Sequence, residues 1–175
     1  MRVTKTPLKD AKRIELLPHS DSRGMYSRIF CAKELPLEFL QVNILTNTQK
    51  GTLRGLHYQE EPHAEDKLVH CIRGSLFDVM VDLRPASPTF GQIYSEVLKL
   101  GNALLIPKGF AHGFQTLEDD THLLYFCSEY YEPKAASGIS WCDPELNIPW
   151  PLEPTILSEA DQNWPTLSTF KMEIT

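Results

Sequence analysis

Apolar and polar residues alternate in short runs along most of this chain. SLFDVMVDL, residues 75–83, is the clearest case: Leu76, Asp78, Met80 and Asp82 fall on one face, and Phe77, Val79, Val81 and Leu83 on the other. Successive side chains of a strand point to opposite faces, so this alternation predicts a strand with two unlike faces. RIELL, MYSRIF, LQVNILT, KLVHCI, YSEVLKL, ALLIP, HGFQTL and HLLYFCSEYY also have strand character. Turn-forming groups separate these segments at short intervals: DSRG, QKG, IRG, SPTFG, KLGN, PKG and LEDD. Many short strands divided by such turns predict an all-β sandwich or barrel. Only CAKEL and the stretch around LSEADQN have the composition of short helices. From about Pro144 the chain becomes proline-rich and strand-poor, which predicts an ordered C-terminal tail wrapped on the barrel.

Composition narrows the classes. With 175 residues, 42% of them hydrophobic, the chain is long enough for one well-filled core and short for two. A single domain over residues 1–175 is therefore expected. The net charge is −6, with no run of five like charges, which argues against nucleic acid or an anionic membrane surface as the main partner. A small anionic ligand remains compatible, because a few arginines in one pocket can hold a phosphate. The N-terminal MRVTKTPLKD has no apolar signal core, and no apolar run approaches the length of a membrane span. Cys31, Cys71, Cys127 and Cys142 form no C-x-x-C and are too few for a disulfide scaffold, so a cytoplasmic setting is expected.

The candidate chemistry lies in two spaced motifs. GNALLIPKGFAH, from Gly101 to His112, matches the second cupin motif, G-x(5)-P-x-G-x-x-H: a strand, a proline-glycine turn, and a histidine returning into a barrel mouth. The first cupin motif begins with Gly51 and His57, but its next metal-ligand position holds Gln59 and its glutamate position holds Lys67. A divalent ion needs imidazole and carboxylate ligands, and an ammonium opposes it, so a bound metal is not expected. The substituted set suits proton abstraction beside a carbonyl. A histidine accepts a proton near neutral pH, a lysine stabilises the enolate oxygen, and a tyrosine across the pocket returns a proton to the opposite face.

At this point the chain is similar to the dTDP-4-dehydrorhamnose 3,5-epimerase family of nucleotide-sugar cupins. The matching segments are DSRGMYSRIF, KGTLRGLHYQ, KLVHCIRGSLFDVMVDLRPASPTFG, LLIPKGFAHGFQTL, LLYFCSEYY, GISWCDPELNIPWP and ILSEADQNWP, in the family's order from about residue 20 to 165. The resemblance implies a cupin-type jelly roll that forms a homodimer through N-terminal strands. It implies a cofactor-free isomerase acting on a nucleoside-diphosphate 4-keto-6-deoxy sugar. The family's general base falls on His57, the acid that orients it on Asp161, the enolate-stabilising lysine on Lys67 and the opposite-face acid on Tyr125. His112 matches a further pocket histidine. The substrate-binding positions fall on Gln41, Asn43, Arg54 and Tyr130, and on Arg23, contributed by the partner subunit.

Each residue also has an ordinary structural reading. His57 and Lys67 can be plain strand residues, Tyr125 and Tyr130 core aromatics, Asp161 a helix cap, and Arg23 and Arg54 surface charges. His63 and His70 read as surface or packing residues. Two departures from the family bear on the substrate. Met25 and Arg28 stand where the best-known members carry an aromatic residue and a glutamate near the base, so recognition of the nucleoside is expected to differ. Leu45 occupies a place where serine is common. Because fold alone does not fix function, a metal-dependent cupin enzyme and a non-catalytic sugar-nucleotide-binding module are the alternative readings.

Overall fold

A computed structural model describes residues 1–173. In chain order the strands are β1 (Arg2–Lys5), β2 (Lys12–Glu15), β3 (His19–Asp21), β4 (Gly24–Tyr26), β5 (Gln41–Asn47), β6 (Leu53–Gln59) and β7 (Lys67–Arg73). There follow β8 (Ser75–Asp82), β9 (Ile93–Lys99), β10 (Asn102–Ile106), β11 (Phe110–Thr116), β12 (Thr121–Cys127) and β13 (Ala136–Gly138). Two short helices close the order, α1 (Glu159–Gln162) and α2 (Leu167–Glu173).

The strands form a six-stranded sheet, ordered β1-β2-β10-β7-β12-β5, and a five-stranded sheet, ordered β13-β6-β11-β8-β9. The strand pairs within both are antiparallel. The sheets pack face to face. Val69, Leu104, Ile106 and Leu123 of one meet Leu76, Met80, Leu98, Phe110 and Phe114 of the other in the central core. The chain crosses between sheets at Gly74, whose φ is +73° and whose Cβ would stand 2.5 Å from Thr121 Oγ1. Only glycine meets both demands.

Two further apolar layers lie on the outer faces. The proline-rich tail and α2 cover the five-stranded sheet, bringing Ile139, Leu146 and Leu167 onto Leu56, Val79, Val81 and Ala111. Residues 29–39 cover the six-stranded sheet, where Phe30, Phe39 and Leu35 pack over Leu68 and Leu105. The tail is therefore structural, as its composition predicts.

The alternation in β8 is present, but its consequence differs from a strand with one wet face. Val79 and Val81 lie beneath the tail, and Leu76 and Met80 point into the core. Asp78 and Asp82 share that inner face and are fully buried. Asp82 is satisfied by Arg84, Ser87 and Thr89, whereas Asp78 meets His112 through Oδ2 and among the described residues its Oδ1 has no partner. Other boundaries shift. MYSRIF forms a strand only as far as Tyr26, because Ile29 and Phe30 are drawn onto the outer core. CAKEL makes one turn rather than a helix, since Pro36 follows at once. The strand β1 and helix α2 were not anticipated, being short segments held by tertiary contacts.

Candidate active site

A cleft of about 800 Å³ opens between the sheets. Gln41, Asn43 and Leu45 of β5 line it, and the intervening Val42 and Ile44 face outward, as strand alternation requires. Arg54 and His57 come from β6, Lys67 from β7, His112 from β11 and Tyr125 from β12. The tail supplies a wall that includes Ser158, Asp161 and Trp164.

His57 lies directly opposite His112 across the β6–β11 pair, just before a register irregularity between His112 and Phe114. Two glycines allow the strands to close there: a Cβ on Gly55 would stand 2.5 Å from Gly113 Cα. The His57 imidazole, with its side chain 44% exposed, pairs through Nε2 with Asp161 Oδ1. Ser158 caps α1 by accepting from the Asp161 amide at 3.1 Å, which fixes the carboxylate at the start of a single helical turn. Asp161 also accepts from Trp164 Nε1 at 3.1 Å, and the indole ring stands edge-on to His57. Burial opposes its ionisation, yet the hydrogen bonds from the side chains of His57, Trp164 and Ser158 hold the Asp161 carboxyl below its ordinary value. An ionised carboxylate takes a proton-bearing Nε2, which leaves the lone pair on Nδ1.

The opposite wall is drier. Tyr125 packs edge-on against His112, with ring centroids 5.8 Å apart. Burial, reinforced by the negative field of Asp78, raises the phenol well above its ordinary pKa. His112 Nε2 is 2.9 Å from Asp78 Oδ2, deep in the core. Burial pushes the Asp78 carboxyl up, and the imidazole of His112 works against that shift. Lys67 Nζ lies 3.3 Å from Glu65 Oε1, with side chains 13% and 10% exposed respectively. Arg54 Nε donates to Asn47 Oδ1 at 2.9 Å, which aims the guanidinium along the cleft rim.

The donor set does not suit a divalent ion. Each histidine already has a carboxylate on one nitrogen, and Lys67 sits at a ligand position. Gln59 lines the cleft but bonds its amide to the backbone, donating to the carbonyls of His63 (3.0 Å) and Tyr130 (3.2 Å) and accepting from the Glu132 amide (2.7 Å).

The family model for dTDP-4-dehydrorhamnose 3,5-epimerase matches residues 5–169. The chain belongs to that family. A dTDP-4-dehydrorhamnose 3,5-epimerase of Shigella flexneri is 42% identical over 171 residues, covering 93% of this chain and 94% of the relative. The dTDP-6-deoxy-D-glucose-3,5-epimerase of Legionella pneumophila, solved with dTDP-4-keto-L-rhamnose, superposes with a TM-score of 0.92 at 38% identity, covering 99% of this chain and 96% of that one. A 3'-monoepimerase of Streptomyces bikiniensis, solved with dTDP-quinovose, gives a TM-score of 0.90 at 34% identity, covering 96% and 89%. The two-sheet architecture is accordingly the cupin-type jelly roll of these epimerases.

Eight of the ten residues singled out from the sequence line this epimerase-family cleft: His57, Lys67, Tyr125, Asp161, Gln41, Asn43, Arg54 and His112. Arg23 lies outside it, 88% exposed at the tip of the β3–β4 hairpin and paired with Asp21. Tyr130 is also outside, while its neighbour Tyr131 lines the cleft. Arg28 pairs with Glu34 at 3.4 Å, away from the cleft, and Leu45 both lines it and packs on the core. Sequence reasoning missed Glu65, Asp78 and Trp164. Trp164 carried a signal, since it follows Asp161 within ILSEADQNWP. Asp78 did too, as one of two acidic residues on a face of β8 shared with Leu76 and Met80.

Proposed function

We propose that this protein is a cofactor-independent epimerase of a nucleoside-diphosphate 4-keto-6-deoxy-hexose, inverting carbon 3, carbon 5 or both through an enolate, in deoxysugar biosynthesis. The observation that carries this reading is the accessible His57 paired with Asp161, in one cleft with a nearly buried ammonium and a half-buried phenol. Family membership supports it, and so do the nucleotide sugars bound by the Legionella and Streptomyces relatives.

In this mechanism His57 Nδ1 removes the proton from the carbon beside the ketone, and Asp161 stabilises the imidazolium that results. The electron pair of the broken C–H bond moves to the carbonyl oxygen, where Lys67 offsets the new charge. Tyr125 returns a proton to the opposite face of the ring. Its raised pKa keeps the phenol protonated until the enolate forms. Gln41, Asn43 and Arg54 hold the nucleoside diphosphate along the cleft, and His112 meets the sugar.

The active unit in this proposal is a cytoplasmic homodimer of single-domain chains. The β3–β4 hairpin supports it. The residues of β3 and β4 are all exposed, although a two-stranded hairpin is marginal without a surface to rest on. A partner subunit would supply that surface and receive Arg23 into its cleft. Among the described residues no helix is long and apolar enough to cross a membrane.

Solvent-deuterium exchange tests the function, read by NMR on thymidine-, cytidine-, uridine- and guanosine-linked 4-keto-6-deoxy sugars. Deuterium at carbon 3, or at carbons 3 and 5, with inverted product identifies the reaction and the nucleoside. Binding without exchange on any of them would leave a sugar-nucleotide-binding module.

A further inference from the structure

One charged group in the cleft has no part in the proposed chemistry. Glu65 stands in the segment between β6 and β7, two residues before Lys67, and lines the cleft with its side chain only 10% exposed. A carboxylate so desolvated needs a partner, and its ion pair is the Lys67 ammonium at 3.3 Å. Its charge is also felt on β12. Cys127 lies opposite Lys67 in register, and its thiol is pushed up to about 12 by burial first and by the Glu65 carboxylate next.

We infer that Glu65 is the positioning residue for Lys67, holding the ammonium at the place where the enolate oxygen develops its charge. This inference rests on the epimerase reading given above. A lysine ammonium is a point charge on a flexible four-carbon stem, and left alone it samples many rotamers. Stabilisation of a transient oxyanion needs donors already in place before the charge appears. Glu65 meets that need from the side of Lys67, on a segment whose ends are tied down. The Asp66 amide donates to Ser128 Oγ, and the Gln59 amide group holds the His63 carbonyl. The pair is also close to neutral, which lowers the cost of keeping Lys67 nearly buried.

The arrangement makes a specific demand on kinetics. An interaction that acts only through Lys67 stabilises the enolate and leaves ground-state binding alone. Loss of Glu65 must then lower kcat with KM unchanged, and it must cause no further loss once the ammonium is gone.

A double-mutant cycle on the full-length protein tests this, with the rate of solvent-deuterium exchange into its 4-keto sugar nucleotide as readout. E65A is expected to lower kcat about tenfold with KM changed less than about twofold, and E65Q, which keeps an acceptor for Nζ, to stay within about threefold of wild type. In the Lys67→Met background, where Glu65 has lost its counter-ion, the same E65A change is expected to cause no further loss of kcat. Should E65A fail to fold, judged by thermal unfolding, Glu65→Ser runs the same cycle. Losses that multiply in the double variant would overturn the inference and make Glu65 a direct substrate contact. A rise in KM at constant kcat would overturn it in the same way. A wild-type protein that exchanges no deuterium would instead overturn the epimerase reading, so the two failures are distinct.

Discussion

His57 and His112 face each other across β6 and β11, yet they hold carboxylates from different parts of the chain. The partner of His57 is Asp161, delivered by the tail, and the partner of His112 is Asp78, one strand away on β8. The first pair keeps an imidazole 44% exposed to the cleft, whereas both members of the second are buried. A general base must reach its substrate, so access assigns the role to His57 and leaves His112 as a sugar contact on the cleft wall.

His57→Ala is expected to leave the fold intact, because the side chain sits at the cleft surface rather than in the core. Deuterium exchange should fall on the order of 10²–10⁴-fold, the usual worth of a positioned base. Near-normal exchange in a variant with unchanged circular dichroism would remove His57 from that role.

Tyr125→Phe separates proton removal from proton delivery. Only a hydroxyl is lost, and the ring still packs against His112, so the barrel should persist. His57 can abstract and return a proton on one face, so deuterium should still enter the substrate while inverted product falls far more. Equal losses of exchange and inversion would mark Tyr125 as a substrate-positioning group. No loss of either would point to Tyr131, which also lines the cleft.

Gln59 joins three stretches of backbone around a buried amide. Gln59→Leu fills a similar volume and strands two carbonyls and an amide. A buried unsatisfied group costs about 1–3 kcal/mol, and partial access to water reduces the sum, so a loss of about 2–4 kcal/mol is expected in urea unfolding. Faster hydrogen exchange at the Glu132 amide should accompany it. A change below about 0.5 kcal/mol would mean that these bonds are replaced by water at no cost.

His70 gives the protein an acid-labile point. It lies in β7 against Phe126, and among the described residues neither ring nitrogen finds a hydrogen bond of good geometry. Burial pushes the imidazole from 6.5 down to about 4, with the Ile29 backbone offsetting part of the shift. The folded chain therefore keeps His70 neutral where the unfolded chain protonates it. Stability is complete above pH 6.5 and declines as the pH falls toward 4, by up to about 3 kcal/mol. His70→Phe should flatten the fall in Tm between those limits relative to wild type. Parallel Tm–pH curves for the two proteins would refute this.

The alternation of side chains in β8 was legible because it depends only on strand geometry, which places i and i+2 on one face. Gln41 and Asn43 came from the family resemblance rather than from the alternation, and the spacing of glycines and histidines placed His57 and His112 in the two cupin motifs. The pattern could not say which face of β8 meets water. Both faces are covered, one by the opposing sheet and one by a tail from some 60 residues further on, and hydrophobic periodicity carries no record of such a layer.

What the sequence determined by itself is local or repetitive: short strands, turns at glycine and proline, and a set of side-chain types suited to moving a proton beside a ketone. Only the tertiary structure decided how these groups are charged and aimed. Asp161 is 104 residues from His57, and Glu65 and Cys127 reach Lys67 from different strands and loops. Electrostatic interactions fall with distance in space and rise as water is excluded, and neither quantity is a property of sequence separation. The base, its carboxylate and the ammonium beside it exist as a site only once two sheets and a wrapped tail have shut water out around them.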